Sequence, residues 1–377
     1  MINVIYVCHA ADNLGGASLS LYNLIKSVKH AVYPIVLLQS NGPVYDYYTS
    51  AGIECHIVSF PNNIRNSNYL KHILFWIPKY LKYQLMIRVS IKKLNRLLGD
   101  RNIHVVHSNS SVCTFGVPLS KAIKAKHIWH IREFGDIDFG IKPFMGSKNL
   151  STAISKADAT IAITEAVYNH WKLKEIKNSH YIWDAVRSSH DIVFDPNKEK
   201  YFLFCAAILS HTKGVDTALR AFGQSGLSAL GYRIKLIGRV PSECYMNVLC
   251  SIMSEYNITE SVDFLGYQAD IKPFMQKATA FIMSSLNEGL GRVTVEAMFY
   301  GCPVIARDSG GTKEFVIDGY NGFLFNDDCQ CSDLMKSIAA TSPEAIILSA
   351  QKYVIENFSE ETYGNRILNI YQKLVKS

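Results

Sequence analysis

Glu288 and Glu296, two carboxylates eight residues apart, are the side chains here with the most evident capacity for chemistry. Were the interval helical, they would stand about 12 Å apart along its axis. A carboxylate pair that cleaves a glycosidic bond works at about 5 to 9.5 Å, so this spacing points instead to two separate contacts with one long ligand. Residues 285–291 read as a loop of small residues, with a helix opening at Arg292. Gly289 and Gly291, flanking Leu290, leave amides bare. Bare amides at the positive end of a helix dipole seat an anion such as phosphate. Glu296 falls where a helix faces its sheet, which would leave it partly buried and in need of donors such as sugar hydroxyls. A solvated helix acid is the competing reading.

Two further loops carry matching chemistry. Residues 209–214 (LSHTKG) follow a strand pattern at 201–207 and precede a helix at Val215, which puts the Lys213 cation near a helix start, suited to a diphosphate. Gly15 and Gly16 follow a first strand at 2–8, where backbone can approach a ligand closely; an ordinary strand-to-helix turn is the alternative. His130 ends a strand at 126–131, a position that also suits a purely structural histidine.

The elements that position these loops alternate. Strand-like runs at 2–8, 32–38, 54–58, 103–107, 126–131 and 180–183 are separated by helical ones, and the pattern restarts at 201, 234, 262 and 280. Such alternation predicts α/β architecture with parallel, doubly wound sheets. Residues 184–200, rich in Asp, Ser and Lys, read as a linker. Further on, Gly301-Cys302-Pro303 is a turn, 304–306 a short strand, Ser309-Gly310-Gly311 a loop opening another helix at Thr312, and 318–322 a tight turn before a strand at 323–325.

The order Glu-x7-Glu, Gly-Cys-Pro-Val-Ile, Ser-Gly-Gly and Asp-Gly-x-Asn-Gly-x-Leu-Phe over residues 288–325 resembles the nucleotide-sugar site of glycosyltransferase family 4, retaining enzymes of the GT-B fold, among them bacterial capsule and exopolysaccharide transferases. The resemblance implies two Rossmann-like domains facing across a cleft: an acceptor-side domain at 1–188, a nucleotide-sugar domain at 189–356, and a terminal helix at 357–377 crossing back to the first. By carry-over, Glu296 holds the ribose, Glu288 the donor sugar, and Gly289, Leu290 and Gly291 the phosphates and sugar through backbone amides. Lys213 takes the diphosphate, Gly15 and Gly16 lie near donor phosphates or acceptor, and His130 contacts the donor sugar. Arg132 and Glu133 touch donor or acceptor. The family's usual Arg five residues before the Lys is Ile208 here, and Arg239 or Arg292 could compensate. The implied reaction moves a hexose from a nucleotide-diphosphate sugar, a UDP-sugar foremost, with retention and with neither metal nor cofactor.

Composition limits the remaining classes. Nine scattered cysteines fit neither a disulfide framework nor a zinc site and suit a reducing cytosol. The opening residues read as a strand rather than a signal peptide, and no apolar run reaches the length of a membrane span. Residues 1–190 hold 22 Lys/Arg against 11 Asp/Glu, a balance of +11, and residues 191–377 hold 17 against 21, a balance of −4. Residues 69–98 have seven Lys/Arg, no acid, and apolar residues at helical spacing, including Ile77, Leu81, Leu85 and Ile91. Such a helix suits the surface of an anionic membrane; the alternative is a helix whose stripe packs on its own sheet. With the membrane reading, the acceptor is a polyprenyl-diphosphate-linked oligosaccharide and the enzyme is peripheral on the inner face of the cell membrane. A GT-B epimerase or a soluble transferase making a small glycoside are alternatives. A nucleic-acid-binding protein is not expected, because the aromatics follow helix spacing rather than a sheet platform.

Overall fold

The pattern of apolar runs broken by glycine turns folds into two parallel sheets in a computed structural model, which describes residues 1–9, 11–12, 14–65, 76–341 and 343–376. The chain divides into one unit of residues 1–185 and 360–377 and a second of residues 186–359.

In the first unit, β1 (Ile2–Val7), α1 (Gly16–Val28), β2 (Val32–Leu38), α2 (Pro43–Ser50), β3 (Glu54–Ile57), α3 (Trp76–Leu98), β4 (Val105–Ser108), α4 (Gly116–Ile123), β5 (Lys126–Ile131), α5 (Ser147–Ile154), β6 (Ala159–Ala162), α6 (Glu165–His170) and β7 (Ser179–Tyr181) follow one another. The sheet order is β3-β2-β1-β4-β5-β6-β7, with every pairing parallel. Central strands are buried throughout, as for β4 (Val105, Val106, His107, Ser108), because helices cover both faces. The strand order reverses between β1 and β4, the place where such sheets bind ligands.

The second unit repeats the scheme with β8 (Tyr201–Ile208), α7 (Val215–Ser225), β9 (Arg233–Arg239), α8 (Glu243–Glu255), β10 (Val262–Gly266), α9 (Lys272–Lys277), β11 (Ala280–Met283), α10 (Arg292–Phe299), β12 (Val304–Arg307), β13 (Phe323–Phe325), α11 (Asp328–Ala340) and α12 (Glu344–Phe358). Its order is β10-β9-β8-β11-β12-β13, again all parallel, with the switch point between β8 and β11. Ser359 is extended, and α13 (Glu360–Lys376) then belongs to the first unit, where Tyr363, Ile367, Ile370, Tyr371 and Leu374 join the core beneath β1 and α1.

Two expectations are corrected. Thr312 opens only a single 3-10 turn, Thr312–Glu314, because the fully buried Phe315 and Val316 take the chain down into the unit before a second turn can form. In the basic segment, residues 69–75 lie outside the described residues. From Trp76 onward the helix packs on its sheet through Ile87, Ser90, Leu94 and Leu98, with only Ile91 of the described stripe beside them, so the alternative in which the whole stripe packs on the sheet does not hold. Ile77, Leu81 and Leu85 of that stripe, with Val89, are exposed by 59 to 65 %.

Candidate nucleotide-sugar site

The site grows from two loops at the switch point of the second unit, after β8 and after β11. Past β8 the chain makes one 3-10 turn, His211–Lys213, and Gly214 takes φ +75°. A Cβ there would lie 2.0 Å from the Ser284 carbonyl oxygen, so only glycine allows this approach. The loops are then stitched: Ser284 Oγ donates to Gly214 O at 2.6 Å, Ser285 Oγ to Thr212 O at 3.2 Å, and the Leu286 amide to Thr212 O at 3.1 Å. Stitching brings Lys213 Nζ to 2.7 Å from Glu288 Oε2. The two residues singled out separately in the sequence thus meet as one ion pair.

Glu288 is wedged from the other side. Gly310, at φ +59°, leaves no room for a Cβ, which would stand 2.7 Å from Glu288 O, and the Gly311 amide donates to that oxygen at 2.8 Å. Gly291, at φ +76°, caps α10 with no side chain of its own to accept from the first turn, and its carbonyl accepts from the Thr294 amide at 2.9 Å. The hydroxyls of Thr294 and Thr312 converge on Gly291, 3.3 and 2.7 Å from where a Cβ would be, and both are buried with no hydrogen-bond partner among the described residues. Orphaned hydroxyls gathered at one glycine at a helix start are what an oxygen-rich ligand would satisfy. Leu290 is buried, which leaves its backbone as its only polar contribution, and Arg292 opens the helix.

Glu296 sits one turn further along, 8 % exposed, and is not a solvated acid. Arg187 Nη2 lies 3.1 Å from its Oε1. The same guanidinium donates from Nε to Tyr300 Oη at 2.5 Å and lies 5.6 Å from the Tyr300 ring centroid. Its protonated form is favoured: burial opposes the charge, and Glu296 and then Tyr300 outweigh that opposition. Ile208 is 42 % exposed and stands in register with Arg239 on β9, whose exposed side chain makes no ion pair among the described contacts.

In the first unit, Gly15 caps α1 without a side-chain hydrogen bond, and Gly16 begins the helix. A Cβ at Gly15 would meet nothing within 4 Å, so its turn does not require glycine sterically. His130 does end β5, but its ring is fully buried: Nδ1 lies 3.2 Å from His107 Nε2 and accepts from Arg132 Nη2 at 3.4 Å, while Nε2 has no hydrogen-bond partner and faces Asp184 Oδ1 at 3.7 Å. Burial and then Arg132 hold it neutral, well below the ordinary histidine range.

Arg132 and Glu133, expected from the resemblance to touch donor or acceptor, are each engaged by side chains of their own unit. Arg132 donates to Asn109 Oδ1 at 2.6 Å and to Asp184 Oδ2, while Tyr363 Oη on α13 donates to Asp184 Oδ1 at 3.0 Å. Glu133 Oε1 accepts from Ser110 Oγ, Ser111 N and Ser111 Oγ at 2.5 to 2.7 Å. Both are about 7 % exposed, and their charge goes into fixing the loop after β4.

Sequence reasoning missed Arg187, Tyr300 and Asp184. Arg187 and Asp184 were assigned to the linker by composition, and no local pattern announces partners more than fifty residues away.

Residues 187–358 match the sequence model of "Glycosyl transferases group 1". An uncharacterized glycosyltransferase of Methanocaldococcus jannaschii is 24 % identical over 318 residues, covering 82 % of this chain and 80 % of the relative. A lipopolysaccharide core biosynthesis mannosyltransferase, LpcC, of Rhizobium leguminosarum is 24 % identical over 171 residues, 45 % of each chain. Among solved structures, Anabaena HepE in complex with UDP and glucose superposes with TM-score 0.77 at 18 % identity, covering 99 % of this chain and 100 % of that one. The two-sheet α/β architecture is thus the GT-B fold. It is through residues 187–358, within the second unit, that the chain is similar to the glycosyl transferases group 1 family.

Proposed function

We propose that the protein is a retaining glycosyltransferase that moves a hexose from a nucleotide-diphosphate sugar, most simply a UDP-sugar, to a saccharide acceptor of surface polysaccharide synthesis. The observation that carries this reading is the stitched pair of switch-point loops, which sets Lys213 and Glu288 beside the start of α10. In this reading the first amides of α10, Lys213, Arg239 and Arg292 take the diphosphate, Glu288 the donor sugar, and Glu296 the ribose. As the bond to the anomeric carbon breaks, the leaving diphosphate gains negative charge, and fixed donors already aimed at it stabilise that charge without reorganising. The acceptor hydroxyl attacks the same face and passes its proton to the departing phosphate oxygen, so neither a protein nucleophile nor a metal is required. HepE with UDP and glucose and the LpcC mannosyltransferase support the donor class and the saccharide acceptor by analogy.

Calorimetry of the full chain against UDP-, GDP-, TDP- and ADP-sugars without metal tests the donor assignment. Selective binding of one member is expected, and Glu296→Ala is expected to abolish transfer while the fold persists. A Glu296→Ala enzyme with undiminished turnover would remove that residue from the site.

The acceptor reading is a lipid-linked oligosaccharide reached at the inner membrane face. No helix among the described residues is long and apolar enough to cross a membrane. The support is the outer face of α3: Ile77, Leu81, Leu85 and Val89 stand exposed at four-residue intervals, and exposed Lys82, Arg88, Lys92, Lys93 and Arg96 accompany them with no acid on the helix. Flotation with vesicles containing anionic phospholipid should carry the wild type. Reversing Lys82, Arg88, Lys92 and Lys93 to Glu should leave the protein at the bottom, since each cation contributes about 1 kcal/mol near such a surface. Undiminished flotation of that variant would refute membrane contact through α3.

A further inference from the structure

We infer that Arg187 is the positioning residue of the ribose contact, a role that rests on the donor-site reading above. Glu296 Oε1 is engaged by Arg187 Nη2 at 3.1 Å, while Oε2 has no partner among the described contacts. A carboxylate rotates about a broad terminal torsion, so an isolated glutamate offers a ribose two interchangeable oxygens at no fixed angle. A guanidinium gripping one oxygen stops that rotation and presents the other. The grip is itself anchored: Arg187 Nε reaches Tyr300 Oη at 2.5 Å, the guanidinium lies 5.6 Å from that ring, and Lys272 Nζ stands 5.3 Å from the same ring. Tyr300 caps the C-terminus of α10 one turn beyond Glu296, with its amide bonded to Glu296 O at 3.0 Å. One arginine from outside the helix thus ties together two residues of a single helical face. It does so as the second residue of its unit, where it also bridges to Ser359.

The pairing has a second consequence. With Glu296 neutralised by Arg187, the carboxylate can lie beside a nucleoside diphosphate without repelling it, so the contact selects for ribose hydroxyls at little electrostatic cost. Loss of Arg187 would both free the carboxylate to rotate and leave a buried negative charge near the phosphates.

The test reads discrimination at the sugar of the nucleotide, which a merely structural arginine would not move. Binding of UDP, GDP and ADP, each with its 2′-deoxy and 3′-deoxy forms, is measured by calorimetry on the full chain for wild type, Arg187→Met, Arg187→Lys, Tyr300→Phe and Glu296→Gln. Wild type should prefer one ribonucleotide over at least one of its deoxy forms by about tenfold or more, as expected for a hydroxyl bonded to a charged acceptor. Arg187→Met should lower that ratio to within about threefold, Tyr300→Phe should lower it partially, and Arg187→Met combined with Glu296→Gln should be no worse than Glu296→Gln alone. Arg187→Lys keeps the charge but not the fork and should fall between wild type and Arg187→Met; it and Tyr300→Phe keep the question open to measurement if Arg187→Met fails to fold. A wild type that discriminates while the Arg187 and Tyr300 variants discriminate equally well overturns the inference and leaves the donor site standing. A wild type that binds ribo and deoxy forms alike overturns it as well, and one that binds no nucleoside diphosphate removes the donor-site reading with it.

Discussion

Replacing Arg132 by methionine separates the two roles this residue could have. Its side chain and that of Asp184 are each 3 % exposed, and Asp184 is also held by Tyr363 Oη at 3.0 Å. Burial opposes the charge on Arg132, and Asp184 followed by Tyr363 outweighs it, raising the proton affinity above the ordinary guanidinium value. Methionine fills much of the same volume but leaves Asp184 buried with only the uncharged Tyr363 and His130 beside its charge. Breaking a buried pair from one side costs about 3 to 5 kcal/mol, a large part of the roughly 5 to 15 kcal/mol that holds a domain folded. All four tryptophans, Trp76, Trp129, Trp171 and Trp183, lie in the first unit, so indole fluorescence follows that unit alone through a urea titration. With a urea slope of about 2 to 3 kcal/mol per molar, the midpoint should fall by about 1 to 2 M. Combining Arg132→Met with Asp184→Leu should restore part of the loss, since an apolar pair avoids the stranded charge. An Arg132→Met protein with an unchanged midpoint and no transferase activity would refute the scaffold argument and return Arg132 to the ligand.

Acid should weaken the same unit. Burial pushes the His127 imidazole down to about 3 against 6.5 when unfolded, so between those values only the unfolded chain takes the proton, and stability falls as pH drops below 6.5. By pH 5 this one residue costs about 2 kcal/mol, at about 1.4 kcal/mol per pH unit; a fluorescence midpoint in urea that stays level from pH 7.5 to 5 would contradict it. In the second unit, Gly214→Ala should lower the melting temperature far more than Gly231→Ala. Both positions have positive φ, worth about 1 to 3 kcal/mol of strain each, but only at 214 does the new Cβ meet backbone, at 2.0 Å from Ser284 O, whereas at 231 nothing lies within 4 Å. Equal melting of the two variants by circular dichroism would mean that the loop seam is soft.

What the sequence made legible divides along contact range. The strand alternation, the glycines that close the loops near Glu288 and the helix opening at Arg292 are local in cause, and they stand where the pattern put them. The helix at Thr312 failed because a local opening signal was overruled by burial of Phe315 in the core. For α3 the helical spacing was legible, but which apolar residues meet the sheet was not. The hydrophobic repeat spans more than one face, and Ile87, Leu94 and Leu98, rather than Ile77, Leu81 and Leu85, meet the sheet. Arg132, Glu133 and Arg187 were opaque for another reason: a charged residue in a loop looks the same whether its partner is a ligand or a distant side chain. Only the fold brings Asp184 to Arg132 and Glu296 to Arg187.

That ambiguity bears on how the site handles charge. Lys213 is matched by Glu288 and Arg187 by Glu296, so these four residues sum to zero formal charge. A diphosphate brought to them must find its attraction elsewhere or share what is there. Lys213 has three donors, and Glu288 takes one of them, which leaves two for phosphate oxygens without breaking the pair. The first amides of α10 add the positive end of a dipole. A whole charge remains at Arg239, opposite Ile208 in the β8–β9 register and so one strand away, about 4.8 Å, a gap shorter than an extended arginine side chain. In the donor-site reading proposed above, Arg239 supplies from the neighbouring strand the cation absent at position 208, and the paired carboxylates meet sugar and ribose hydroxyls without repelling the phosphates.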